Sequence, residues 1–380
     1  MRRLTEQQVD QIARELAGRL GAGTPPTAGR SSHMGSGSAA PVATTYGRTT
    51  VTVDPALTTR HGEGDGVFNT VDNCVEAARA AFRNLDAATL AKRAELIAAI
   101  REAMRREGDD LARQAWQETG LGRYEDKVIK NRLVTEKTPG TEALQPEATT
   151  GDNGLTLMEW APFGVIGAIT PTTNPTSTII CNTIGMLAAG NSIVFNVHPG
   201  AAACSMSTVR ALNRAIVGAG GPANLVTAVA QPTIESAGEL MHHKGINLLV
   251  VTGGPGVVKA AMTSGKRSVS AGPGNPPVVV DETADLVKAG RDIVFGASFD
   301  NNVICVDEKQ VFVVASVADE LIKQMRASGA YLVDQAELRR LEKVIFDEIR
   351  GPRTHGTINK KWVGKNADVI LAEIGVRAGP

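Results

Sequence analysis

Six short apolar runs set the architecture: "GVIGAI" (164–169), "NSIVFNV" (191–197), "NLVTAVA" (224–230), "NLLVVTG" (247–253), "PPVVVD" (276–281) and "QVFVVAS" (310–316). Between most of them lie stretches of helical length and composition. Strands joined through helices pair in parallel, and helices then cover both faces of the sheet. That explains why the runs are apolar throughout rather than alternating. The pattern predicts a doubly wound parallel α/β sheet, with ligands at the carboxyl ends of its strands. The 40 glycines in 380 residues suit its many tight turns.

Helices precede the sheet. Over 71–120, Val75, Ala78, Phe82 and Leu85 mark one apolar stripe, and Leu90, Ala94, Ile97 and Met104 mark a second. Asp86 reads as the entry signal of the second helix. Further on, Thr149–Thr150 and Leu155–Trp160 flank "GDNG", a hairpin signal. Such an arm can pair with another subunit or within its own chain.

Three strand ends carry candidate chemistry. In "ITPTTNP" (169–175), Pro171 and Pro175 stiffen a turn tipped by Thr172, Thr173 and Asn174. Donors there suit a developing oxyanion, and ordinary capping of the next helix by Asn174 or Thr176 suits them equally. In "VVTGGPG" (250–256), Thr252, Gly253, Gly254 and Gly256 lead into a helix. Glycines let the backbone approach a diphosphate at a helix entrance, or simply make a turn. In "FDNNVIC" (299–305), Cys305 reads either as a packing thiol or as an activated nucleophile.

The other cysteines, Cys74, Cys181 and Cys204, fall in helical segments and read as core thiols. The wide spacing of all four argues against a zinc site and a secreted disulfide framework, so no metal is expected. His242 and His243 end a helix and His355 lies in a polar loop. Glu308–Lys309 reads as a surface pair. Forty basic residues balance forty acidic ones, which gives no reason to expect nucleic acid or an acidic membrane surface as partner. No apolar run reaches the length of a bilayer span.

At the amino end, residues 1–20 show an amphipathic pattern. Val9, Ile12, Ala13, Leu16 and Leu20 share a face, and Thr5 and Gln8 form a capping box. Residues 21–45 are a Gly/Ser/Pro/Ala linker. The pattern predicts a short helix that either docks on its own domain or serves as a tethered address.

From about residue 46 onward the chain resembles the aldehyde dehydrogenase superfamily. It is most similar to the CoA-acylating branch, the propionaldehyde and acetaldehyde dehydrogenases of bacterial microcompartments. The segments carrying the resemblance are "AAFRNLDAATLAKRAELIAAIREAM", "APFGVIGAITPTTNP", "LAAGNSIVFNVHPGA", "TGGPGVVKAAMTSGKRSVSAGPGNPPVVVDETADL" and "FDNNVICVDEKQVFVV". The resemblance implies Cys305 as nucleophile, with Thr173–Asn174 and the Cys305 amide at the oxyanion. Asn174 is one residue offset from the superfamily's usual asparagine. It implies Thr252, Gly253, Gly254 and Gly256 at the NAD diphosphate, with Pro171, Asn196 and His198 also at the cofactor. Asn196 and His198 would meet its adenosine ribose.

One departure from the superfamily bears on chemistry. Hydrolytic members carry a glutamate in an E-L-G-G-K segment that activates water. Here the matching stretch is "AGPGN" (271–275), with Ala271 in that place. Coenzyme A then becomes the expected acyl acceptor, and a short-chain aldehyde the substrate. A hydrolytic dehydrogenase and an inactive cargo or scaffold homologue are the competing readings. The resemblance implies an encapsulation role for 1–20 with shell or cargo partners, a location in the bacterial cytoplasm inside a microcompartment, and a homo-oligomer (dimer or tetramer). It divides the chain into a cofactor domain over 46–275, with an arm at 149–160, and a catalytic domain over 276–380. The family continues beyond "IGVRAGP", so that domain is expected to be partial.

Overall fold

The computed structural model describes residues 65–351, 354 and 356–377. The helix expected over 1–20, its linker and His355 lie outside them. All described residues belong to one compact unit.

A two-residue strand, β1 (Val67–Phe68), leads into α1 (Val71–Asp86), capped by the Thr70 hydroxyl. The long α2 (Leu90–Thr119) follows, capped by Thr89. Asp86 therefore closes α1 rather than opening α2. A threonine hydroxyl in extended backbone accepts the Lys92 N–H and does the capping. Leu90, expected in the apolar stripe, is exposed in the first turn, and the buried stripe begins at Leu96 and Ile97. Next come α3 (Tyr124–Lys137) and an antiparallel hairpin, β2 (Glu147–Gly151) and β3 (Gly154–Met158), paired from Glu147–Met158 to Gly151–Gly154. The hairpin forms as the "GDNG" signal predicts, and both strands are exposed along their length.

The main sheet then builds from β4 (Val165–Ile169), α4 (Pro175–Ala188), β5 (Ser192–Asn196), α5 (Ala202–Gly218), β6 (Val226–Val229), α6 (Ile234–His242), β7 (Leu248–Thr252), α7 (Pro255–Thr263) and β8 (Ser268–Ala271). Its order is β1-β6-β5-β4-β7-β8, all parallel. Alternate residues of β4 explain the double cover. Ile166 and Ala168 join a core with Leu96, Ile100 and Met104 of α2, Ile180 and Ile184 of α4, and Leu212 of α5. Val165 and Ile169 join an opposite core with Val71 and Val75 of α1 and Leu240 of α6. The winding reverses at β4, so the strand ends there diverge and leave a crevice.

Two predicted strands depart from this sheet. β9 (Pro277–Val280) and β10 (Gln310–Val313) pair with each other, in parallel, as a separate two-stranded sheet. They flank α8 (Leu286–Ser298), and Val280 and Ile293 pack there with Leu321 of α9 (Ala318–Ala327). β1 and β8 supply the outer positions of the main sheet instead. β1 is only two residues long, and β8, Ser-Val-Ser-Ala, places serines at alternate positions and so is not an apolar run. The described chain closes with α10 (Gln335–Ile345), a small antiparallel pair β11 (Phe346–Glu348) and β12 (Thr357–Ile358), and α11 (Ala367–Ala372). No helix among the described residues is long and apolar enough to cross a membrane.

Candidate active site

The crevice is a cavity of about 580 Å³. Four strand ends of the main sheet, the starts of α6 (Thr233, Ile234, Ala237) and α7 (Val257) and one loop form its wall. Ile169–Asn174 follow β4, Asn196–Pro199 follow β5, Thr252–Gly254 follow β7, Gly272–Gly274 follow β8, and Asn302–Cys305 belong to the loop before β10. The structure thus brings Pro171, Thr173, Asn174, Asn196, His198, Thr252, Gly253, Gly254 and Cys305 to one wall. Gly256 is the exception: it sits in the first turn of α7, behind the lining residues.

Cys305 is half-buried on this wall, whereas Cys74 and Cys204 are fully buried. Burial pushes the Cys74 thiol up to about 12, and it raises the Cys204 thiol as well. Those two are inert packing thiols. The turn carrying Cys305 is clamped on both sides. Ile304 N–H donates to Asp307 Oδ2 at 3.3 Å, and Lys309 Nζ donates to the carbonyls of Ile304 and Asp307 at 2.9 and 3.0 Å. Lys309 is therefore a clamp on the turn, not one half of a surface pair with Glu308. Among the described residues, the Cys305 N–H has no backbone partner, so it is free to face a developing oxyanion. Burial raises the Asp307 carboxyl to about 6, against the opposing pull of Lys309 and Lys130.

Asn174 occupies the cap position of α4 but makes no side-chain cap bond. Its Oδ1 accepts from Lys130 Nζ at 2.5 Å, and its Nδ2 donates to Thr173 Oγ1 at 3.2 Å. Thr176 does not cap either; its hydroxyl donates to Asn131 Oδ1. The capping alternative for this turn is thus set aside by the bonds the side chains make.

Behind the wall lies a buried ion cluster that the sequence reading passed over. Asp300 is fully buried, and its carboxylate accepts from Lys127 Nζ (3.1 Å), Lys130 Nζ and the Arg123 N–H (2.7 Å). Its own N–H donates to Asp126 Oδ2 at 2.8 Å. Asp300, Asn301 and Asn302 all have positive φ, at 46°, 54° and 58°. That is a costly run for residues with a Cβ, and their surroundings hold it in place. Asn301 binds the Gly364 carbonyl, and Asn302 binds those of Ala297 and Glu308. Gly122, with φ of 70°, lies so near Asp300 that a Cβ there would fall 1.9 Å from Oδ1. Burial and the neighbouring Lys127 lower the Lys130 ammonium to about 8, while Asp300 opposes the shift.

At the end of β5, Asn196 is buried and both its amide atoms are engaged. Nδ2 donates to the Thr233 carbonyl and Oδ1 accepts from Ser236 Oγ at 2.6 Å, which fastens the capping box of α6 to β5. His198 Nδ1 accepts the Gly200 N–H, and burial lowers the ring's pKa. The neutral ring therefore carries its proton on Nε2. The entrance of α7 has no side-chain cap, and a Cβ added to Gly254 would meet no protein atom within 4 Å. A bare helix entrance behind glycines fits a dinucleotide diphosphate. Ala271 ends β8 opposite Thr252, and its carbonyl accepts the Gly253 N–H. Among the described residues, no three His, Cys, Asp or Glu side chains group to hold a metal ion.

Comparison with known proteins follows the same lines. Residues 47–336 match the model of the aldehyde dehydrogenase family. The chain is 50% identical over 313 residues to acetaldehyde dehydrogenase (acetylating) EutE of Escherichia coli (strain K12), a match over 82% of this chain and 66% of that protein. The chain thus spans about two thirds of the length of the curated relatives it matches. The crystal structure of Rhodopseudomonas palustris propionaldehyde dehydrogenase with bound CoA and an acylated cysteine superposes with a TM-score of 0.77 at 48% identity, over 83% of this chain and 71% of that one. A propionaldehyde dehydrogenase from the Clostridium phytofermentans fucose utilisation microcompartment gives 0.77 at 45% identity, with the same coverage of 83% and 71%.

Proposed function

The chain belongs to the aldehyde dehydrogenase family, and from that premise we propose that it oxidises a short-chain aldehyde to an acyl-CoA, with NAD as hydride acceptor. The observation that carries the choice is chemical: among the described residues, no aspartate or glutamate lines the cavity that holds Cys305. Hydrolysis of a thioester is helped by a base that takes a proton from water. Exchange of one thioester for another needs little such help.

In this reading the Cys305 thiolate attacks the carbonyl carbon and forms a C–S bond. The carbonyl electrons move to oxygen, giving a thiohemiacetal. The free Cys305 N–H and the Asn174 amide, beside Thr173, donate to that oxygen. NAD, when bound, takes the hydride from the same carbon, leaving an acyl thioester on Cys305. Thr252, Gly253, Gly254 and Gly256 would hold its diphosphate, and Pro171, Asn196 and His198 would also border the cofactor, the last two at its adenosine ribose. With no carboxylate on the wall, the thioester waits for the thiol of coenzyme A, which displaces Cys305 and leaves as acyl-CoA. Names of similar proteins support acetaldehyde or propanal as the substrate type.

The same reading divides the chain into a cofactor domain over 46–275 and part of a catalytic domain over 276–380. The exposed hairpin, with Leu155, Leu157 and Trp160 outward, supports assembly as a homo-oligomer. Residues 1–20, amphipathic and tethered, suit an address for shell or cargo proteins. The microcompartment origin of one similar structure supports that assignment. Deleting 1–20 should abolish co-localisation with shell proteins; unchanged co-localisation would sink it.

The reaction is tested by NADH absorbance with propanal and NAD, with and without CoA. CoA-dependent NADH that disappears in Cys305→Ala supports the proposal. Equal rates without CoA would favour the hydrolytic reading.

A further inference from the structure

The helix α3 has its polarity inverted. Its buried residues are Lys127, Lys130, Asn131 and Thr135, while Ile129 and Leu133 are 48% and 53% exposed. Lysine is almost never fully buried unless paired, and two lysines on one inward face share a single carboxylate, Asp300. Among the described residues Asp300 is the one carboxylate both lysines bond, with Asp307 adding a longer-range attraction on Lys130, and the two ammoniums differ in what else they touch. Lys127 has only a long contact beyond Asp300, 3.4 Å to the Thr173 carbonyl. Lys130 makes a short one, to the side-chain oxygen of Asn174.

We propose that Lys130 is a positioning residue for the oxyanion site: it fixes the Asn174 amide with its N–H edge toward the reacting carbonyl and ties that amide to the loop that carries Cys305. The proposal rests on the acylating reading given above. An ammonium has donors only, so the group it meets at 2.5 Å must be the amide oxygen, and the NH₂ is turned to the other side. One N–H of that NH₂ donates to Thr173 Oγ1, which leaves the other for a ligand. Without Lys130, Asn174 at the cap position of α4 would turn its oxygen to the helix N–H groups, as asparagine does at helix entrances. The amide would then be satisfied by its own helix. The absence of any side-chain cap bond on α4 is the mark of that competition already decided. The second bond of Lys130, to Asp300, joins this amide to the strained 300–302 run that leads into Cys305.

Covalent acylation by p-nitrophenyl acetate isolates this role, because it needs neither NAD nor CoA. The Cys305 sulfur attacks the ester carbonyl, the C–O bond breaks, and p-nitrophenolate leaves as a measurable burst. Alkylation of the same thiol by iodoacetamide forms no oxyanion and serves as control. In the full chain, Asn174→Ala should slow the burst by about 100-fold. Lys130→Met should slow it by at least ~10-fold, and the double variant should be no slower than Asn174→Ala within about threefold. Alkylation should be unchanged in all three. Lys130→Gln keeps a donor without the charge and should stay within about fivefold of the parent; it carries the test should the methionine variant not fold. Losses that multiply in the double variant, a Lys130→Met that slows alkylation equally, or a Gln variant as slow as Asn174→Ala would each overturn the proposal while leaving the acylating reading intact. An unaltered burst in Asn174→Ala would remove Asn174 as donor and Lys130 with it. A burst that survives Cys305→Ala would sink the acylating reading itself.

Discussion

The backbone of Gly274 rests against the carbonyl of Cys305: a Cβ added to Gly274 would lie 2.0 Å from that oxygen and 3.1 Å from its carbon. The stretch after β8 and the nucleophile turn are thus packed backbone to backbone, with no side chain to yield. Gly274→Ala must push Cys305 away. A displacement on the order of 1 Å at a reacting group costs about 100-fold in rate. Acylation of Cys305 in Gly274→Ala should fall by that order, with about 1–3 kcal/mol of stability lost to the overpacking; a rate within twofold of the parent would contradict the contact.

Asp300 should be the most costly residue of the cluster to remove. Asp300→Ala leaves Lys127 and Lys130 buried without their counter-charge and removes the acceptor of the Arg123 N–H. Breaking a buried pair on one side costs about 3–5 kcal/mol. Urea unfolding should show a loss of that size, with Lys127→Met, which keeps the Lys130–Asp300 pair, losing less.

Asp307 gives a pH dependence of known sign. Burial raises its carboxyl from 3.8 to about 6, so the folded state binds its proton more tightly than the unfolded state. The stability this gives is full below 3.8 and is lost as pH rises through about 6. Asp307→Asn keeps an acceptor for the Ile304 N–H and does not titrate. Relative to the parent, its melting temperature should rise between pH 4 and pH 7 by on the order of 2 °C. A difference constant across that range would contradict the shift.

Ala271 offers a gain-of-function test. Ala271→Glu puts a carboxylate at the end of β8, one residue before the cavity wall begins at Gly272. CoA-independent acid formation should rise by at least ~10-fold if a missing base is what protects the thioester. An unchanged acid rate would mean that something other than the absent base keeps water off.

The parts legible in the sequence were those whose signal is local. β4 to β7 were plain because strands covered on both faces are apolar at nearly every position, and the "GDNG" hairpin was plain because its turn chemistry is. The strand ends at 169–174, 252–254 and Cys305 could be named as candidates, but only the fold brings them to one wall. β1, of two residues, is too short to leave a pattern, and β8, Ser-Val-Ser-Ala, lacks the continuous apolar run that marked the other strands. β9 and β10 read like strands of the main sheet because run composition does not say which sheet a strand joins. Lys127, Lys130 and Asp300 stayed hidden because the lysines and the carboxylate they share are 173 and 170 residues apart in sequence. A signal was present in "EDKVIKN": Lys127, Lys130 and Asn131 fall on one helical face with the apolar residues opposite. Polarity alone reads that face as solvated, and only the packing shows it to be inward.

The central claim is that the acyl group on Cys305 passes to coenzyme A rather than to water. The direct measurement is product partition: incubate the protein with acetaldehyde, NAD and CoA, and quantify acetyl-CoA and acetate by mass spectrometry. Acetyl-CoA should account for nearly all NADH formed, and without CoA the reaction should halt after about one NADH per Cys305, with the acyl group detectable on that cysteine. Acetate formed at the same rate with and without CoA would contradict the account.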